Sequence, residues 1–113
     1  MTRSPRKNKF NARKVTIDGI TFDSIAESKR YGELKILERV GEIADLFVHR
    51  RFPLIVKDTR VGAYVADFTY ELVKEKRFVV EDVKSTATRT ALYKFKRKVF
   101  EAQYPLRILE IVR

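Results

Sequence analysis

Apolar and polar positions first organise at "VTIDGITF", residues 15–22, where Asp18-Gly19 separates two short runs of strand formers. An Asp-Gly pair tolerates positive φ, so the stretch predicts a β-hairpin with a two-residue turn. The period then changes. In "DSIAESKRYGELKILERVGE", Tyr31, Leu34, Leu37 and Val40 recur at helical spacing with Ile36 beside them, and Gly41 ends the pattern. Ser24 is placed to cap this helix, and Ser24-x-x-Glu27 has the form of a capping box.

Beyond Gly41 the chain turns β-rich. "LFVHRRFPLIVKD" carries Pro53, which marks an edge or a bend. Residues 58–62, with Asp58 and Gly62, predict a turn. "AYVADFTYEL" predicts a strand, "VKEK" a tight connection and "RFVVEDVK" its partner. The polar "STATRT" leads into a second helix, "RTALYKFKRKVFEAQY". Its inward stripe is expected at Leu92, Phe95, Val99 and Ala102, with Lys94, Arg97, Lys98 and Glu101 on another face. Pro105 stops it, and "LRILEIV" predicts a last strand that can lie parallel to strand 77–84 after the helical crossover. The expected fold is therefore α/β: a mixed central sheet flanked by helices, one domain over 15–113 behind a basic arm over 1–14.

Charge changes the picture. Lys and Arg number 25 against 15 Asp and Glu, a net charge of +10. Such an excess favours an anionic partner, nucleic acid above all. No apolar run approaches bilayer length and no signal-peptide pattern opens the chain, so the expectation is a cytoplasmic protein with no membrane partner. There is no cysteine and only one histidine, His49, which excludes disulfides, thiolate sites and multi-histidine zinc sites within one chain. Any metal must therefore sit on oxygen ligands, which points to magnesium or manganese.

Two strands carry charges where apolar residues are expected. Residues two apart share a strand face. Asp67 interrupts the row Ala63, Val65, Asp67, Thr69, and Asp82 interrupts Phe78, Val80, Asp82, Lys84. Glu81 falls on the opposite face from Lys84. A hairpin centred between Lys74 and Glu75 sets Asp67 directly opposite Asp82, with Cβ atoms roughly 5 Å apart. Like charges so placed repel, and a divalent cation offsets the repulsion. Phosphodiester hydrolysis is a reaction that uses such a cation, because it lowers the pKa of bound water and polarises the phosphate. Lys84 on the same face can orient the water and offset charge on phosphate oxygens. Glu27, near the start of the first helix, is the third acidic candidate, either as ligand or as helix cap.

"ADF" at 66–68 followed by "VVEDVKS" at 79–85 resembles the PD-(D/E)XK nuclease superfamily, with Asp67 as the first acid and Asp82-Val83-Lys84 as the acid-x-Lys element. Glu27 in "AESKRYGEL" matches the helix acid of many members. The order of elements is similar to archaeal-type Holliday-junction resolvases, to transposon end-cleaving endonuclease subunits and to small phage-encoded nuclease-like proteins, over about Phe10 to Val112. Two departures stand out: Ala66 replaces the usual proline, and Asp82 replaces the usual glutamate. The resemblance implies a restriction-endonuclease-like core and a Mg2+- or Mn2+-dependent endodeoxyribonuclease. Its metal would sit on Asp67, Asp82, Glu27 and the Val83 backbone carbonyl, with Lys84 as the catalytic amine. A Gln or Lys on the second helix serves the site in some branches, which leaves Gln103 and Lys94 open. The resemblance also implies DNA as partner, here expected to be branched, and a homodimer that cuts two strands symmetrically. Phosphate contacts are expected from Arg13, Lys14, Arg89, Lys94, Arg97 and Lys98. The runner-up substrates are flaps, nicks or DNA ends. A reading of another class is a DNA-binding module that keeps the fold without the reaction. His49 reads as a strand-surface residue.

Overall fold

A computed structural model of the chain describes residues 13–85 and 88–113. Most of the basic arm, residues 1–12, lies outside the described residues. Strands β1 (Val15–Ile17) and β2 (Ile20–Phe22) form the expected hairpin. Its turn places Asp18 at φ 54° and Gly19 at φ 78°, so both central residues are left-handed, as the Asp-Gly pair predicts.

Helix α1 runs Ile25–Arg39. Ser24 Oγ accepts the Glu27 N–H at 3.1 Å, satisfying one orphan donor of the first turn. At the other end Gly41 adopts φ +85°, and the Glu42 N–H reaches back to the Leu37 carbonyl at 2.9 Å. This closes the helix through a left-handed glycine. Tyr31 and Leu34 are buried as the periodicity predicts, whereas Val40 and Ile36 remain exposed. The Tyr31 hydroxyl donates to Asp18 at 2.7 Å and ties the hairpin turn to the helix.

The main sheet has the order β3-β4-β5-β6: β3 (Ile43–Val56), β4 (Thr59–Leu72), β5 (Arg77–Lys84) and β6 (Ile108–Val112). β3, β4 and β5 are antiparallel neighbours, and β6 lies parallel to β5 as the crossover through α2 (Ala91–Gln103) requires. The β3–β4 turn is tighter than expected. Lys57 and Asp58 alone make it, both at positive φ, and Gly62 lies within β4 opposite Leu54. The extra residue is absorbed by a register shift between Leu54 and Ile55.

Two cores cover the sheet. Phe22, Tyr31, Leu34, Phe68, Tyr70, Val79 and Val83 pack under α1, and Leu54, Tyr64, Ala66, Val80, Phe100 and Ile108 pack under α2. Val79 and Val83 of β5 fall in one core and Val80 in the other, so the helices sit on opposite faces. The expected inward stripe of α2 is corrected. Leu92 and Phe95 are each 62% exposed and Ala102 is exposed, while Phe100 is fully buried with Tyr93 and Val99 against the same core. Rings decide the rotation: Phe100 contacts Phe52, Tyr64 and Tyr104 at centroid distances of 5.1, 5.0 and 4.9 Å. Burying several rings outweighs burying Leu92 and Phe95, because aromatic side chains remove the largest apolar area from water.

Candidate functional site

The site forms on β4 where both of its ladders are interrupted. Toward β3, Val48 pairs with Phe68 and Arg50 with Ala66; His49 stands opposite Asp67 between them, with its backbone at φ +58°. Toward β5, the register is the one centred on Lys74 and Glu75, and its regular pairs end at Phe68 with Glu81. At the next position the Asp67 N–H donates to Asp82 Oδ1 at 3.1 Å, and the Val83 N–H donates to Asp67 Oδ2 at 2.8 Å. Carboxylates thus take the places of backbone carbonyls in satisfying these donors. The alternation of β4 also breaks here. Tyr64 and Ala66 belong to the α2 core, but Phe68 and Tyr70 belong to the α1 core. The expectation of one continuous row over these four residues is therefore corrected: the faces exchange at Asp67.

A cleft of about 570 Å³ opens at this break, lined by residues including Glu27, His49, Asp67, Val83 and Lys84. One donor atom each from Glu27, His49 and Asp67 lies within 4.8 Å of the other two. Glu27 does not return the capping-box bond: its Oε1 is buried and has no hydrogen-bond partner among the described residues, and His49 Nε2 lies 3.7 Å from it. The His49 ring packs on Phe22 at 5.8 Å between centroids. Asp82 lies outside this donor triad. It is almost fully buried, with Oδ2 accepting the Tyr64 hydroxyl and Oδ1 engaged by the Asp67 N–H. Lys84 lines the cleft with its Nζ 4.3 Å from the centre of the Tyr93 ring.

In the electrostatics of this carboxylate cluster, burial outweighs the influence of Lys84 and His49. Burial pushes Asp67 up to about 8, reinforced by Asp82 and Glu27 and opposed by the Val83 N–H and Lys84. Glu27 is raised by burial and by Asp23, against the influence of His49 and Lys84. Asp82 is raised by burial, against Lys84 and the Tyr64 hydroxyl. All three are raised above the ordinary carboxylate range, burial first, and a bound cation would oppose that rise.

Glu81 is separated from this cluster, as the alternation predicts. It is fully buried on the α1 side, where Arg30 donates to both of its oxygens at 2.7 and 2.9 Å and the Tyr70 hydroxyl donates at 2.5 Å. This bidentate pair fastens α1, and with it Glu27, to β5.

The expected phosphate-contact residues divide. Arg13 is exposed, and Lys14 is exposed but paired with Asp23 at 3.1 Å. Arg89 pairs with Glu110 at 2.9 Å. Arg97 lies toward the sheet, bonded to Glu101 and Glu110 at 3.2 and 2.6 Å, so its expected place on an outward face is corrected. Lys94 and Lys98 are exposed, with no carboxylate within salt-bridge distance among the described residues. Gln103 accepts the Ile55 N–H at 2.9 Å, and neither it nor Lys94 lines the cleft.

His49 is the residue that sequence reasoning passed over. Its one signal was being the only histidine of the chain; its place opposite Asp67 depends on the β3–β4 register and on a left-handed backbone.

Fold and cleft together define a mixed α/β domain with an acidic, histidine-containing donor cluster at a break in its sheet. The chain belongs to the family described as "Protein of unknown function (DUF1064)", which matches residues 7–113. No curated protein and no solved structure matches it. No described helix is long and apolar enough to cross a membrane.

Proposed function

We propose that this protein is a divalent-cation-dependent nuclease that hydrolyses DNA phosphodiester bonds at the Glu27, His49 and Asp67 cleft. The reading rests above all on Glu27 Oε1, a buried carboxylate oxygen with no hydrogen-bond partner among the described residues, which shares its space with Asp67 and His49. An unsatisfied buried carboxylate is expensive, so its retention calls for a positive ligand. Two carboxylates with one imidazole suit Mn2+ well, and Mg2+ when water completes the set.

A cation bound there would lower the pKa of a coordinated water and polarise the scissile phosphate. Glu27 and Asp67 would supply the anionic donors. His49, whose ring is held by Phe22, would add a nitrogen donor. Asp82 steadies Asp67 by accepting the Asp67 backbone N–H. The Val83 carbonyl remains a further candidate donor. Lys84 orients the attacking water and stabilises negative charge growing on the phosphate oxygens. The water oxygen bonds to phosphorus, the bond from phosphorus to the leaving sugar oxygen breaks, and the water proton reaches that oxygen through solvent. The net charge of +10 and the exposed Lys94 and Lys98 favour a polyanionic substrate. Branched DNA and a homodimer follow from the resemblance to junction resolvases. A DNA-binding module without hydrolysis is the second reading, favoured by the engagement of both Asp82 oxygens.

Purified protein incubated with a four-way junction, a flap, single strands and plain duplex, in Mg2+, Mn2+ or EDTA, tests the proposal. Cleavage with either cation and none in EDTA is expected, lost in Asp67→Asn and Lys84→Ala. Absence of cutting in every cation condition, with binding retained, selects the second reading. Cleavage that survives both substitutions overturns the site.

A further inference from the structure

On the α2 face of the sheet, away from the cleft, three phenylalanines surround one arginine. Arg50 Cζ lies 5.0 Å from the centre of the Phe47 ring, 5.7 Å from Phe78 and 5.8 Å from Phe52. Phe47 is 53% exposed and Phe78 36% exposed, and Arg50 is exposed. Phe47 is turned outward by an irregularity of β3 between Ala44 and Phe47, where Asp45 adopts φ 56°. That shift leaves Leu46 against the α1 core and places Phe47 in solvent.

Arg50 makes no salt bridge among the described residues, although Glu71 stands opposite Phe78 on the adjoining strand. Its guanidinium is committed to ring faces instead. Exposed rings interleaved with a planar cation are the groups on which unpaired bases stack, since every base has a π face and every nucleotide carries a phosphate. The positive balance of the chain supplies the long-range attraction. Duplex DNA buries its bases against one another and offers no free face to such rings.

We infer that Phe47, Arg50 and Phe78 form a stacking platform for single-stranded nucleic acid, separate from the cleft. The inference does not depend on hydrolysis and is tested in EDTA, where no cleavage is expected under the proposed mechanism. The chain has no tryptophan, so Phe47→Trp creates a single fluorescent reporter on the platform. A saturating oligothymidylate should quench that emission, and a matched duplex should not. By anisotropy, Phe47→Ala with Phe78→Ala should bind the oligothymidylate about five- to a hundredfold more weakly than the parent, with duplex affinity nearly unchanged. Arg50→Ala should weaken binding and flatten its salt dependence. Both rings are exposed, so circular dichroism should report a folded double variant; if it does not, the tryptophan reporter decides. The inference is overturned if emission is unchanged while anisotropy reports bound oligonucleotide, or if the double variant binds like the parent. It is equally overturned if sedimentation shows the double substitution abolishing a dimer while leaving single-strand affinity intact, because the face is then an interface between two copies.

Discussion

Replacing Asp67 with Asn should stabilise the cation-free protein at neutral pH. Burial, Asp82 and Glu27 push the Asp67 carboxyl up to about 8 from an ordinary 3.8. For an acid raised in the folded state, the folded protein holds the proton more tightly than the unfolded chain does. The penalty is therefore absent below about pH 3.8, grows as pH rises toward 8, and is complete above it. Four units at about 1.4 kcal/mol each set a ceiling of roughly 6 kcal/mol. The repulsion is shared among three carboxyls, so neutralising one should recover about 2 kcal/mol, or roughly 8 °C in Tm for a chain of this size. The amide oxygen of Asn can still accept the Val83 N–H. Thermal unfolding followed by circular dichroism in EDTA at pH 8 and pH 4.5 measures the effect: a large gain at the higher pH and little at the lower. Adding Mn2+ should raise the Tm of the parent, by up to about 2.7 kcal/mol of stability at a hundred times Kd, and leave the variant nearly unmoved. A loss of stability in Asp67→Asn at pH 8, or an equal response of both proteins to Mn2+, would refute the charge-cluster reasoning.

Arg30→Ala leaves Glu81 buried without its bidentate partner and should cost about 3–5 kcal/mol, read as a lower urea midpoint; a change under 1 kcal/mol contradicts the ion-pair reading. Phe100→Ala should cost about 3–5 kcal/mol while Phe95→Ala, on the exposed side of α2, stays within about 0.5 kcal/mol in the same titration. Equal losses at the two positions would mean that the helix is rotated. His49→Gly should be more stable than His49→Ala by about 1 kcal/mol, because φ +58° strains any residue with a β-carbon. Reversal of that order would contradict the left-handed backbone at His49.

Local chemistry made much of the fold legible. Asp18-Gly19 carries its own turn geometry, Ser24 its own cap and Gly41 its own helix stop, each through contacts within a few residues. The β4–β5 register was readable because a short connection leaves few alternatives, and it brought Asp67 and Asp82 to adjacent positions. The rotation of α2 was not readable. Leu92 and Phe95 have the right period, but which stripe faces inward depends on Phe52 and Tyr64, which lie far away in sequence. Nor was the position of Arg97 readable, since Glu110 that holds it lies on β6.

Candidate chemistry divides the same way. The sequence by itself determined the inventory: oxygen-rich metal donors, one imidazole, no thiol, a strong positive charge and an acid-x-Lys strand. These are properties of residue type and short spacing. Only the tertiary structure decided which donors meet. Glu27 on α1, His49 on β3 and Asp67 on β4 converge, while Asp82 turns to Tyr64. The physical reason is the break at Asp67, where the left-handed His49 and the side chains of Asp67 and Asp82 replace regular pairing. A strict two-residue alternation holds only while the ladder is unbroken, and this site lies where it breaks.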